Sequence, residues 1–289
     1  MRETRPDREH IVSLGFDGDG LAVQEREAWA LTAHDADALR EAALADGMGA
    51  CILSTCFRVE ILLSGRAPAE ELLAWGYRQL SDLRPEAGAQ VFTARTGTEV
   101  FRHVIRVASG LESAVLGEAQ ILGQVRRARA ESEQAGVLRP ALRRVLRAAV
   151  KAGQRVRRET DLGRGAASTA SAALRLAEAT GAGVQGRHVF VIGAGQIGRL
   201  MMGLLPGAEP GAITLVSAHA PAHAGFRVVR PDDFPSVLTE ADVVFAATDR
   251  LALPLDAART AWADGRQRTV LDLGVPRNVP AAVGHLPGV

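Results

Sequence analysis

Apolar positions along this 289-residue chain fall into two successive regimes. In the first, short apolar runs and helical spacings follow one another without regular alternation. Ile11 to Phe16 predicts a strand, ended by the turn-forming Asp17-Gly18-Asp19-Gly20. Gln24 to Leu31 and Asp35 to Ala45 predict helices. Cys51 to Ser54 and Val59 to Leu63 predict two strands joined by Thr55-Cys56-Phe57-Arg58. Ala69 to Leu83 and Thr98 to Leu111 return to helical spacing, with Phe101, Ile105 and Ala108 on one face. From Ile121 to about Glu159 the pattern stays helical, and Pro140 suits the first turn of a second helix there.

The second regime alternates. His188 to Ile192, Ile213 to Ser217, Phe226 to Val229, Asp242 to Ala246 and Thr269 to Leu273 are short apolar strands, and a helix through Leu205 follows the first. Such alternation predicts a parallel, doubly wound sheet. The small, polar stretch Gly163 to Thr169 is the expected linker, leading into a helix over Ser168 to Ala179. The fold class is therefore α/β: an N-terminal α+β domain, residues 1–162, followed by a Rossmann-type domain, residues 163–289.

Composition narrows the chemistry. With 47% hydrophobic and 23% charged residues the chain can pack a large core and is not disordered. The net charge of +1 argues against a uniformly basic nucleic-acid coat. Locally the balance differs: between Arg126 and Arg164 stand 12 basic residues against Glu131, Glu133, Glu159 and Asp161, an excess of 12 − 4 = 8. Lys151 is the sole lysine, which argues against a Schiff base or a Gly-Lys-Ser/Thr phosphate loop. The two cysteines, Cys51 and Cys56, fit a reduced, cytoplasmic setting better than a disulfide. The charged N-terminus does not read as a signal peptide, no apolar run has transmembrane length, and no metal is expected.

Gly193-Ala194-Gly195-Gln196-Ile197-Gly198 is a G-x-G-x-x-G run lying straight after a strand and opening a helix. The first glycine permits the tight turn, the second lets the backbone approach a pyrophosphate, and the third lets helix and strand pack closely. An NAD site carries a carboxylate at the end of the next strand; here that end reads Leu215-Val216-Ser217-Ala218-His219. The absence favours NADP, with Ser217 and His219 as 2′-phosphate contacts. Cys56 sits at the tip of a strand-turn-strand, and the Arg58 guanidinium is expected to lower its thiol pKa. Cys51, inside a strand, reads as a small buried hydrophobe. His103 is open to two readings, a packed histidine or a general acid/base partner of the thiol.

Ser54-Thr55-Cys56-Phe57-Arg58-Val59-Glu60 resembles the S-T-C-N-R-x-E signature of the glutamyl-tRNA reductase family. The 22 residues from His103 to Gln124, HVIRVASGLESAVLGEAQILGQ, are similar to another segment of that family almost throughout. GAGQIG and Asp272-Leu273-Gly274-Val275-Pro276-Arg277-Asn278 also match it in position. The resemblance implies NADPH-dependent reduction of glutamyl-tRNA(Glu) to glutamate-1-semialdehyde, the first step of tetrapyrrole (porphyrin) synthesis, through a thioester on Cys56. It implies His103 near the nucleophile, and Thr55, Phe57, Arg58, Ser113, Glu118, Ala119, Gln120 and Gln124 around the glutamyl group. It also implies glutamate-1-semialdehyde aminotransferase as a partner.

Departures from the family pattern are specific. Asp17 to Ala22 replaces N-H-K-T-A-P, Phe57 replaces an Asn, Ala119 replaces a Pro, and Ser217-Ala218-His219-Ala220 lacks the family's phosphate-reading Arg. Val289 falls where the family continues into a long helix and a dimerisation domain, so a homodimer is not expected of these residues. A catalytically impaired relative acting by binding, and an NADP oxidoreductase of small molecules, are the rival readings. The arginine-rich stretch is either a solvated helix face or a tRNA backbone contact.

Overall fold

A computed structural model describes residues 9–87, 92–118, 120–162, 168–181, 183–218, 225–248 and 251–289. The chain divides into two compact units, Met1–Ala166 and Ala167–Val289. Residues 163–167 of the expected linker lie outside the described residues, as do Ala119, His219 and Ala220.

Unit 1 is built on a four-stranded antiparallel sheet in the order β2-β3-β1-β4. Its strands are β1 (His10–Asp17), β2 (Gly49–Ser54), β3 (Arg58–Gly65) and β4 (Thr93–Thr96). Successive side chains point to opposite faces of a strand, so each strand feeds two cores. Val12, Leu14 and Phe16 join Val59, Ile61 and Leu63 on one face. There they pack against α2 (Ala33–Ala45) and α3 (Ala69–Leu83). Cys51, Leu53 and Leu62 face the other way, toward α4 (Thr98–Ser109), α5 (Gln120–Gln134) and α6 (Pro140–Glu159). The short α1 (Val23–Ala28) follows the turn after β1. β4 is an exposed edge strand of sequence TART; it carries no apolar pattern, and only its pairing with β1 makes it a strand.

Unit 2 is a parallel five-stranded sheet in the order β7-β6-β5-β8-β9. The strands are β5 (His188–Ile192), β6 (Ala212–Val216), β7 (Arg227–Val229), β8 (Val243–Ala246) and β9 (Thr269–Asp272). Continuous burial along β5 and β8 is what a parallel sheet covered on both faces requires. α7 (Thr169–Ala179) and α8 (Gln196–Leu204) cover one face through Ala170, Ala173 and Met201. α9 (Phe234–Val237) and α10 (Leu255–Ala261) cover the other through Phe234, Ala258 and Trp262. The first strand lies in the middle and the order reverses between β5 and β8, so the crevice for a ligand opens at their C-terminal ends. No helix among the described residues is long and apolar enough to cross a membrane.

Candidate active site

The chain between β2 and β3 is held by its own hydroxyl. Thr55 Oγ1 accepts hydrogen bonds from the amides of Phe57 (3.1 Å) and Arg58 (3.0 Å), and the Thr55 amide donates to the Arg58 carbonyl at 2.8 Å. Thr55 therefore builds the turn, and only its O–H is left to offer a ligand. Cys56 is lifted to the apex, half-buried. Burial pushes its thiol up and the Glu118 carboxylate pushes it further; the Cys56 amide and the Arg26 guanidinium offset this only in part.

Arg58 is not the cation that acts on this thiol. Strand alternation puts Arg58 and Glu60 on the face of Leu62, under α4. The Arg58 guanidinium is buried, 3.7 Å from Glu60 and donating to the Glu112 carbonyl. His103 projects from the buried stripe of α4, and its Nε2 lies 2.8 Å from Glu60 Oε1, a close approach set off the ideal hydrogen-bonding axis. Burial alone would raise the Glu60 carboxyl, but His103, Arg58 and Arg95 outweigh it and hold it below its ordinary value. Glu60 thus collects the charges that the sequence pattern assigns to Cys56. A carboxylate inside an otherwise apolar strand is the signal that marks it.

Arg26 takes the place expected of Arg58. Gly18 has no side chain, and a Cβ there would lie 2.7 Å from Arg26 Cδ and 2.9 Å from Phe57 Cδ2. The turn after β1, α1 and the Cys56 turn are therefore in close contact. Asp17 pairs with Arg58 across the strands at this same end of the sheet. Arg26 Nε is buried without a hydrogen-bond partner, and no carboxylate pairs with the side chain among the described residues. Two charges of opposite sign thus bracket the thiol, and their removal has opposite signs. Glu118→Gln is expected to lower the apparent pKa for iodoacetamide alkylation of Cys56 and to speed the reaction severalfold at pH 8. Arg26→Gln shifts both the other way. A shift of the same sign in both variants, followed by peptide mass spectrometry, refutes the bracketing.

The segment carrying the other expected substrate residues is braced as a unit. The Gly117 amide donates to the Gly110 carbonyl at 2.9 Å, closing the loop that contains Ser113. Arg157 reaches from α6 to the carbonyls of Ala108 (2.9 Å) and Glu118 (2.8 Å). Arg106 pairs with the Glu112 carboxylate, and Arg58 holds that residue's carbonyl. Ser113 and Glu118 are half-buried in this loop. Gln120 is buried at the start of α5 with Nε2 unbonded, and Gln124 is half-buried one turn on. Arg157 carries no signal in the sequence beyond its place in an arginine run.

In unit 2 the glycine loop takes the form its spacing implies. Gly193 has φ +106°, and a Cβ there would meet the Ala247 carbonyl at 2.4 Å. A Cβ on Gly198 would strike the Gly193 carbonyl at 1.9 Å, so this glycine seats α8 on the loop. Gly195, at the start of α8, has only the Ala247 carbonyl within 4 Å, at 3.9 Å; the space beside it is open. Ala194, Gln196 and Ile197 fill the rest of the loop and first turn. A cradle with that opening, at a helix N-terminus and at the reversal of strand order, fits a dinucleotide pyrophosphate. Ser217 stands at the end of β6, its amide donating to the Val229 carbonyl at 3.0 Å. Beyond β9, Asn278 bonds the Thr248 amide (3.1 Å) and carbonyl (3.0 Å), tying the Asp272 to Asn278 segment to the loop after β8.

A thiol at the apex of a strand turn in unit 1, followed in the same chain by a Rossmann-type unit with an intact glycine cradle, places the protein in the class of two-unit reductases with a Rossmann-type domain. The chain belongs to the glutamyl-tRNA reductase family. Residues 14–160 match the model of the glutamyl-tRNAGlu reductase N-terminal domain, and residues 175–289 match that of shikimate / quinate 5-dehydrogenase. Glutamyl-tRNA reductase 2 of Anaeromyxobacter sp. (strain Fw109-5) is 38% identical over 286 residues, which is 96% of this chain and 67% of that protein. Glutamyl-tRNA reductase of Thermomicrobium roseum is 35% identical, over 82% of this chain and 60% of that protein. The solved glutamyl-tRNA reductase from Methanopyrus kandleri aligns with a TM-score of 0.50 and 31% identity, over 96% of this chain and 70% of that one. The chain thus spans about three fifths to two thirds of the curated relatives it matches.

Proposed function

We propose that this chain is a cytoplasmic, NADPH-dependent reductase of glutamyl-tRNA(Glu), working through a thioester on Cys56. The observation that carries the reading is Cys56 at the apex of its turn, half-buried and flanked by the Arg26 cation and the braced loop of Ser113 and Glu118. The Cys56 sulfur attacks the glutamyl ester carbonyl. The ribose oxygen departs with the thiol proton, leaving an S-acyl bond. The acyl carbon then accepts a hydride, the C–S bond breaks, and the aldehyde leaves as Cys56 recovers a proton. When bound, NADPH supplies that hydride, and a thioester is a better acceptor for it than an oxygen ester or a carboxylate.

Each remaining residue has a task within this reading. Glu60 and His103 are positioning residues that fix Arg58 and the base of the turn. Arg58 holds the Glu112 carbonyl, while Arg26 offers an unspent guanidinium to a substrate carboxylate. Thr55 O–H, Ser113, Gln120 and Gln124 are the polar groups around the glutamyl moiety. Gly193 to Gly198 hold the pyrophosphate, and Ser217 lies toward the 2′-phosphate. Glutamate-1-semialdehyde aminotransferase is the partner consistent with a reactive aldehyde product.

Incubating the protein with glutamyl-tRNA in the absence of NADPH should leave a glutamyl adduct on Cys56 and none on Cys51. Intact and peptide mass spectrometry measure it. Burial pushes the Cys51 thiol up to about 12, so it is the internal control. Turnover without any adduct, or an adduct elsewhere, refutes the assignment.

A further inference from the structure

A hollow at the His10 end of β1 gathers cations that have no counter-charge. Its volume is about 730 Å³, and it lies within unit 1, between the first turns of α4 and α6. Elsewhere in this unit arginines hold carboxylates. Arg40 stands 2.6 Å from both Asp37 and Glu131, and Arg155 and Arg158 hold Glu159 at 2.6 and 2.9 Å. Arg66, Arg139 and Arg144 line the hollow and pair with no carboxylate among the described residues. The one carboxylate lining it, Glu9, is already committed: its Oε2 accepts from the Ala141 amide at 2.8 Å, in the first turn of α6. Three guanidiniums thus face a single, occupied carboxylate.

The walls are built rather than incidental. The Arg139 stem runs where β2 has no side chain: a Cβ on Gly49 would lie 3.0 Å from Arg139 Cβ and 3.1 Å from its Cγ. Its Nε is buried without a hydrogen-bond partner. α4 starts on Gly97, at φ +55°, with no side chain capping it, and a Cβ on that glycine would have nothing within 4 Å. The first amides of a helix need acceptors, and the helix dipole favours an anion there. At α6 the chain's own Glu9 fills that role, so the hollow already seats one oxyanion. Its floor is apolar: Val145 is buried, Ile11 half-buried, and the Phe101 ring 38% exposed. A volume of this size suits a whole small molecule rather than a single ion. The hollow is also separate from the thiol. His10 pairs with Gly65 at its end of β1, and Asp17 pairs with Arg58 at the Cys56 end. The eight residues of that strand put about 20 Å between them.

We propose that this hollow is a binding site for a small organic polyanion, a molecule with at least two carboxylate or phosphate groups on an apolar frame. Arg66, Arg139 and Arg144 take the anionic groups, since a guanidinium fork matches carboxylate and phosphate alike. Ile11, Phe101 and Val145 take the frame. The site needs neither the thiol nor the glycine cradle, and it stands whether or not the proposed function holds.

The test is calorimetric titration of the full chain at constant ionic strength with two probes, benzene-1,3,5-tricarboxylate and pyrophosphate, and with acetate as the monovalent control. At least one probe should bind with a Kd below about 1 mM and acetate should not. Tighter binding of the tricarboxylate identifies a carboxylate ligand, and tighter binding of pyrophosphate a phosphate ligand. In Arg66→Gln/Arg144→Gln the Kd of the tighter probe should rise by at least about tenfold. Both side chains are exposed, and an unchanged melting curve verifies the fold. Arg155→Gln/Arg158→Gln, which removes cations already held by Glu159, should change Kd less than about twofold. Phe101→Ala should weaken the tricarboxylate severalfold and leave pyrophosphate unchanged. Pyrophosphate binding that persists unchanged in Arg66→Gln/Arg144→Gln belongs to the glycine cradle of unit 2 and, with no tricarboxylate binding, overturns the proposal. Failure of both probes to bind below about 10 mM, or equal Kd values for both in wild type and double variant, overturns it as well. The titration uses neither tRNA nor NADPH, so loss of the Cys56 adduct in the earlier experiment leaves this result standing, and the reverse also holds.

Discussion

Cys56→Ser is expected to lower kcat for glutamyl-tRNA reduction by at least about 10³-fold while leaving tRNA affinity within a factor of about two. The substitution removes one kind of chemistry and little else. Cys56 is half-buried at the tip of a turn whose hydrogen bonds come from Thr55, so the turn persists without the sulfur. A hydroxyl is a far weaker nucleophile near neutral pH, and an oxygen ester is a poorer hydride acceptor than a thioester. The matching change at the other cysteine runs the opposite way. Cys51→Ser buries a hydroxyl at a site only 1% exposed and should cost about 1–3 kcal/mol of stability, with turnover per folded molecule retained. Single-turnover kinetics and thermal melting separate the two. Retained turnover in Cys56→Ser refutes the thioester route.

The second large effect belongs to the glycine cradle. Gly198→Ala is expected to weaken NADPH binding by at least about 100-fold and to cost about 1–3 kcal/mol of stability. The new Cβ would sit 1.9 Å from the Gly193 carbonyl, a backbone atom that cannot swing aside as a flexible side chain does. Either α8 lifts off the sheet or the loop opens, and both moves take the helix N-terminus away from the pyrophosphate. Gly203→Ala, in the same helix, is the control: a Cβ there meets nothing within 4 Å, and the change should stabilise by about 0.5–1 kcal/mol without affecting the cofactor. Calorimetric titration and melting curves measure both. Equal NADPH affinity in the two variants overturns the assigned role of Gly198.

Legibility of the fold follows how local each signal is. Ala69–Leu83 and His188–Ile192 have the bounds that their patterns imply, because each buries a face whose period is written in consecutive residues. β4 was not legible: Thr93–Thr96 is polar and exposed, and its strand conformation comes from β1 alone. α10 was likewise hidden in a short run after Pro254. At the site, Cys56 and the glycine loop were legible because one is a turn apex and the other a strand-to-helix junction. The electrostatics were not. Placing Arg58 beside the thiol rested on nearness in sequence, whereas Arg58 is already the first residue of β3 and its side chain is buried against Glu60 and the Glu112 carbonyl.

Sequence by itself determined the two-unit order, the glycine cradle, the turn that carries Cys56 and the family. All of these reside in short contiguous patterns, where neighbouring residues constrain one another directly. Only the tertiary structure decided which charges meet. Glu60 draws in both Arg58 and His103, Arg26 arrives at the thiol from α1, and Arg157 spans from α6 to the carbonyls of Ala108 and Glu118. The reason is physical: the strength of a charge depends on burial and on partners tens of residues away along the chain, and folding alone brings those partners within a few ångströms.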